Sequence, residues 1–215
     1  MLQKHLPQSS TKLLAGYKLI ITLTQGGVEV RLKECGFTMI ELLIALSIIT
    51  LLLAVATPQL PVFIEKHQGE KALIAVARAI KVARTSAIKT GGTVTVCRSS
   101  DALQCSGSWQ DGLIVFTDQN KDRVINQTDQ LLMQLVFNNL PGTITWRAFQ
   151  NRQYLQLNSR GDLIHQNGTF TYCAFSSLPE SAHQLIVSGT GRIRFAVDND
   201  GDGIRSGSNG LPLSC

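Results

Sequence analysis

Between Phe37 and Ala56 the chain carries twenty residues, of which only Thr38, Glu41, Ser47 and Thr50 are polar. A helix of that length rises about 30 Å, the thickness of a bilayer's hydrocarbon core. No other stretch is so uniformly apolar, and it commits the chain to a membrane helix near its N-terminus. Arg31 and Lys33 lie just upstream and put the positive flank on the cytoplasmic side. Glu41 is the odd member. A carboxylate inside a lipid-facing segment is expensive, so it marks a functional site unless it simply snorkels to the interface.

The heptapeptide Cys35-Gly36-Phe37-Thr38-Met39-Ile40-Glu41 resembles the cleavage and methylation signal of type IV prepilins. The resemblance implies a cut between Gly36 and Phe37 by a prepilin peptidase, N-methylation of Phe37, and a role for Glu41 in assembly with other pilin subunits. The physical logic agrees. The new α-amino cation at Phe37 gives the Glu41 carboxylate of a neighbouring helix a partner inside an apolar bundle, and removing one member of such a pair is costly. The implied location is the inner membrane, crossed once, with the globular part periplasmic and later displayed on a filament outside the cell.

On that reading residues 1–36 are a leader and stand outside the fold. The leader is long and holds an apolar patch, Leu19-Ile20-Ile21; a translation start nearer Arg31 would account for its length. Of the formal net charge of +5, three charges belong to the leader and two to the remainder. The overall basicity therefore licenses no general nucleic-acid reading, and any basic site must be local. Cys35 leaves with the leader, and Cys97, Cys105, Cys173 and Cys215 remain. An even number in a domain carried across a membrane suggests disulfides. Three pairings are possible; Cys97 with Cys105 and Cys173 with Cys215 are expected. Metal binding is the weaker alternative, because no Cys-x-x-Cys pair exists.

Pro58 and Pro61 interrupt the helix. Helical periodicity then resumes, with Leu73, Val76, Ala77, Ile80, Ala83, Ala87 and Ile88 three or four residues apart among Lys71, Arg78, Lys81 and Lys89. Gly91-Gly92 ends it. From there the period changes to two. Strands are expected over 93–96, 113–116, 131–137, 143–146, 154–157, 170–174, 185–187 and 193–197, separated by Asp, Asn and Gly. The expected class is α+β: a long N-terminal helix, with a membrane half and an amphipathic half, packed on an antiparallel β-rich globular domain. The divisions are 1–36 leader, 37–57 membrane and filament-core helix, 58–90 amphipathic helix, and 91–215 β-rich domain.

Two further segments narrow the resemblance. Leu113 to Asp122, continuing to Asp129-Gln130-Leu131-Leu132, is similar to the GspH/FimT pseudopilin family: a strand ending in Asp, an Asn/Asp-rich turn, then Asp-x-Leu opening the next strand. Ser188-Gly189-Thr190-Gly191-Arg192-Ile193-Arg194 resembles the Gly-Arg-x-Arg segment of the FimT branch, whose members are linked to DNA uptake in natural transformation. Arg192 and Arg194, two apart on a strand, share one face. Guanidinium groups fork onto phosphate oxygens bidentately. Gly189 and Gly191 are expected to let the backbone approach a ligand, and Arg205 to join the patch if the tail folds back. Few phosphate contacts predict weak, salt-sensitive, sequence-independent binding of duplex DNA. The bland alternative pairs both arginines with Asp198 or Asp200. The alternative function is a structural minor pseudopilin of a type II secretion machine, which binds no nucleic acid.

Asp198-Asn199-Asp200-Gly201-Asp202-Gly203 looks like the start of an EF-hand loop, making Asp198, Asp200 and Asp202 weak calcium candidates; Asn209 stands at position twelve, where an acid is required. Asp118, Asn120, Asp122 and Asp129 make a poorer match. Turns favour Asp, Asn and Gly for backbone reasons alone, and no metal or other cofactor is assigned. His67, His165 and His183 are read as surface residues, and Trp109 and Trp146 as core or rim. No Gly-x-Ser-x-Gly elbow is present, and the chain is not read as an enzyme.

Overall fold

A computed structural model describes residues 9–14, 17–24, 27–34, 38–57 and 60–215, in two compact units that divide at Pro58. The first unit holds three strands, β1 (Ser9–Leu14), β2 (Tyr17–Thr24) and β3 (Gly27–Glu34), in an antiparallel meander, and the helix α1 (Met39–Ala56). The strands fall in the stretch set aside as a leader. Val28, Val30 and Leu32 alternate strictly with Glu29, Arg31 and Lys33, which is a strand pattern. In α1 no side chain is buried. The hydroxyls of Ser47 and Thr50 donate to the carbonyls of Ile44 and Ser47, at 2.8 and 2.9 Å, so the helix satisfies its own polar groups.

The second unit is the β-rich domain with α2 (Leu60–Thr90). Pro61 sits in the first turn of α2, where its missing N–H costs nothing. The apolar stripe faces inward as its spacing demands: Leu73, Val76, Ile80, Ala83 and Ala87 are fully buried, and Ala72 and Ala79 join them. Ile88, expected in the stripe, is 51% exposed at the helix's last turn.

All eight expected strands are present, as β4 (Val94–Arg98), β5 (Gly112–Thr117), β6 (Leu131–Val136), β7 (Gly142–Ala148), β8 (Tyr154–Leu157), β9 (Gly168–Ala174), β10 (His183–Val187) and β11 (Ile193–Phe195). They form two antiparallel four-stranded sheets, ordered β6-β5-β4-β8 and β11-β10-β9-β7. Helix α2 packs against strands of both sheets. Where it meets them the core is aromatic: Phe170 stacks on Trp146 (4.3 Å) and meets Trp109 edge-on (4.8 Å).

The sheets differ in what covers their other faces. β5 is buried on both sides, because a second apolar cluster of Cys97, Ile114 and Phe116 lies opposite the main core. The acidic turn after β5 helps to hold that cover. One carboxylate oxygen of buried Asp118 accepts from Thr95 Oγ1 (2.6 Å), Gln156 Nε2 (3.0 Å) and the Arg123 backbone N–H (3.2 Å). Asp129 accepts from the Asn126 N–H at 3.1 Å. The second calcium-like match is thus a set of hydrogen-bonded turn residues. β7, in contrast, alternates: Ile144 and Trp146 point inward, Thr143, Thr145 and Arg147 outward. The outer face of the second sheet therefore has no apolar cover, and the C-terminal tail lies against part of it.

The C-terminal tail folds back through the bridges Val197 to Ser206 and Ser206 to Pro212. Disulfides join Cys97 to Cys105 and Cys173 to Cys215, each with Cα atoms 5.5 Å apart.

Candidate nucleic-acid interface

The Gly-Arg-x-Arg segment begins in the tight turn between β10 and β11. The Gly191 N–H donates to the Ser188 carbonyl (2.9 Å) and the Ser188 N–H to the Arg192 carbonyl (2.9 Å). Gly191 closes this turn at φ +69°, in the left-handed region that favours glycine. It is also buried: a Cβ there would strike the Gly161 carbonyl and lie 3.3 Å from Arg84 Nε. Gly191 therefore serves the close approach of two turns and an arginine of α2. Its expected role of opening the backbone to a ligand is corrected accordingly. That contact puts the Arg84 side chain beneath the turn that carries Arg192, a proximity no local pattern could reveal. Arg160, on the Gly161 turn, is 80% exposed and paired with Asp162 at 3.1 Å.

Arg192 and Arg194 are both exposed. Arg194 stands opposite Ile186 in the β10–β11 register, on the outer face, while Phe195 opposes the buried Leu185. Among the described residues, neither arginine forms an ion pair with Asp198 or Asp200. The outward positions of β7, β9, β10 and β11 carry no carboxylate: they are Thr143, Thr145, Arg147, Thr169, Thr171, Cys173, Gln184, Ile186 and Arg194. Among the described residues, no ion pair neutralises either guanidinium group.

Arg205 is not brought to this patch. It lines a cavity of about 330 Å³ with His183, Glu70, Ile74 and Phe195, on the side away from Arg194. Its guanidinium donates to the Ala182 carbonyl at 3.4 Å. His183 corrects a second expectation. It is 4% exposed, because on β10 it shares the inward face with Leu185 and Val187. Burial, helped by the nearby Arg205 charge, pushes its pKa down to about 4, so it is neutral at pH 7. His67 and His165 are exposed as expected.

Asp198, Asp200 and Asp202 bring carboxylate oxygens within 4.8 Å of one another. Asp198 already accepts from the Gly201 and Gly203 N–H groups (2.8 and 2.9 Å), which hold its carboxyl below the usual carboxylate range. Asn209, at the place of the missing acid, accepts from the Leu211 N–H (3.1 Å). The cluster is a self-closed turn.

At the N-terminal signal, Gly36 and Phe37 lie outside the described residues. Glu41 is exposed in the first turn of α1, where Thr38 Oγ1 accepts from its N–H at 3.3 Å. Thr38 and Glu41 have the spacing of a helix-capping pair, so Glu41 also sits where an acid suits a helix start.

Residues 73–191 match the family described as type II transport protein GspH, and residues 31–57 match the prokaryotic N-terminal methylation motif. Comparison with curated proteins finds no match. Among solved structures, the type IV minor pilin FimU of Pseudomonas aeruginosa is similar at 17% identity and a TM-score of 0.48, covering 71% of this chain and 98% of its own. The minor pseudopilin EpsH of the Vibrio cholerae type 2 secretion system is similar at 12% identity and a TM-score of 0.41, covering 62% and 99%.

Proposed function

The chain belongs to the family of type II transport protein GspH, and from that premise we propose that this minor type IV pilin captures duplex DNA through Arg192 and Arg194 during DNA uptake. The observation that carries the reading is two exposed arginines, neither in an ion pair among the described residues, with Arg194 on a sheet face whose outward strand positions hold no carboxylate. Such a face grips a phosphate backbone without reading bases, so affinity depends steeply on salt. Arg205, turned towards Ala182 and His183, is left out of the contact set.

For residues 64–215 and duplex DNA, mobility shifts at about 20 and about 200 mM salt test this. Wild type is expected to bind at low salt and to lose roughly 0.9 log units of affinity per phosphate contact over that tenfold range. Arg192→Ala/Arg194→Ala should lose two such contacts while folding normally. Equal binding by the variant, or none by wild type, leaves the second reading: a structural minor pseudopilin of type II secretion. The family's description favours that alternative, as does a match that stops at Gly191, before both arginines.

The methylation motif and the apolar helix fit a membrane-anchored pilin. Maturation is proposed at Gly36–Phe37, with N-methylation of Phe37 and assembly through Glu41. A chain recovered from filaments should have the mass of residues 37–215 plus one methyl group; a longer chain would refute the cut.

A further inference from the structure

The register of the second sheet carries the basic surface further than the Gly-Arg-x-Arg segment. Arg194 on β11 opposes Ile186 on β10, Ile186 opposes Thr169 on β9, and Thr169 opposes Arg147 on β7. Residues directly opposed across a ladder point to the same face, so Arg147 and Arg194 flank one row on the outer side. Three strand spacings of about 4.8 Å separate their Cα atoms by about 14 Å. Arg147 is exposed and is not in an ion pair among the described residues.

Between the row and the C-terminal tail lies a groove of about 660 Å³, with Arg147 on its rim and Thr143, Thr145, Thr169 and Thr171 along its floor. Threonine hydroxyls, like arginines, are common phosphate ligands. The tail's wall is formed by residues 207–209 and 212–215, which include no Asp or Glu; its one carboxylate is the chain terminus on Cys215. The row is thus cationic at both ends, with Thr169 and Ile186 between them, and the threonines of the groove lie beside its Arg147 end; such a surface suits a polyanion.

We infer that Arg147 is a second DNA-contact residue, and that duplex DNA lies across the outer face of the second sheet from Arg192 and Arg194 to Arg147. The inference rests on the DNA-capture reading. Its span is of the same order as the ~12 Å major groove, so the two margins take phosphates of the two strands that flank one groove. Ile186 and Thr169 lie beneath the groove itself and read no base.

The test is fluorescence anisotropy of a labelled duplex with the full chain in non-ionic detergent, over about 50 to 200 mM salt. Arg147→Ala should weaken binding roughly tenfold at the low end and make the log–log salt slope shallower by about 0.9. Arg147→Lys should keep most of the slope, and Lys81→Ala, on the solvent side of α2, should change nothing. Both β7 and β11 are edge strands, where a charge also deters edge-to-edge pairing. A purely protective Arg147 would show as self-association of Arg147→Ala with wild-type DNA affinity, which overturns the inference alone. If wild type does not bind, or Arg192→Ala/Arg194→Ala binds as well as wild type, the capture reading itself fails and this one with it.

Discussion

Gly69→Ala is expected to lower the stability of the globular unit by about 3 kcal/mol, where the same exchange in an open helix would raise it by about 1. Gly69 lies inside α2 and is buried against Tyr172, the largest of the fully buried side chains. A Cβ at Gly69 would clash with Cδ1 and Cε1 at the edge of the Tyr172 ring. The ring has no room to retreat. Its far edge lies against Gly142, where a Cβ would come within 2.7 Å of Cε2. Its hydroxyl donates to the Pro141 carbonyl at 3.0 Å, and burial beside Glu65 pushes its pKa up to about 12. So either α2 lifts off β9 or the ring leaves its rotamer, and both cost packing. In residues 64–215 the melting temperature should fall by roughly 5–10 °C, while Arg78→Ala on the exposed face stays within about 0.5 kcal/mol of wild type. A Gly69→Ala domain as stable as wild type would show that the helix shifts freely and that the notch is unimportant.

Gly69 also shows where reading the sequence stops. A glycine inside a helical pattern reads locally as a weak spot; only the partner across the core turns it into a requirement. Periodic features did not need that partner. The stripe from Leu73 to Ala87 and the alternation of β7 follow from burying one face, so helix, strands and class were legible. The outward place of Arg194 was legible for the same reason, since alternation along β11 sets it. Whether the outward face is open depends on what covers the sheet, and for β5 and β7 the answers differ. His183 and Arg205 misled in opposite ways. Polar neighbours suggested a surface histidine, but its place in the β10 alternation buries it; a returning tail suggested a clustered arginine, but the tail returns with Arg205 on the other side. Arg84 and Arg147 carried no local signal, because helix docking and strand order decide their neighbours.

Cys173→Ser/Cys215→Ser is expected to cost about 4 kcal/mol, and Cys97→Ser/Cys105→Ser about 2.5. The order follows from loop length: the first bond closes a separation of 42 residues and the second a separation of 8. A crosslink removes more freedom from the unfolded chain when the loop it closes is longer. The tail has few other ties. From residue 198 onward only Gly207 and Leu213 are buried, and Leu213 packs merely on Ala182 and Ala196. Its remaining attachments are hydrogen bonds, among them Ser208 N–H to Gln184 Oε1 (2.9 Å) and Leu213 N–H to the Arg205 carbonyl (2.9 Å). Denaturant unfolding of the two double-serine variants measures the order, and a tail variant no less stable than the short-loop variant would overturn it. Hydrogen exchange adds the local reading: amides of residues 206–213 should exchange much faster in the tail variant, with the β9–β10 ladder still protected below the unfolding transition. Arg194 is held by the β10–β11 ladder and Arg192 by its hydrogen bond to Ser188, not by the tail. The folded fraction of that variant should therefore keep its salt-dependent hold on DNA, which separates the anchor of the tail from the arginines that carry the proposed function.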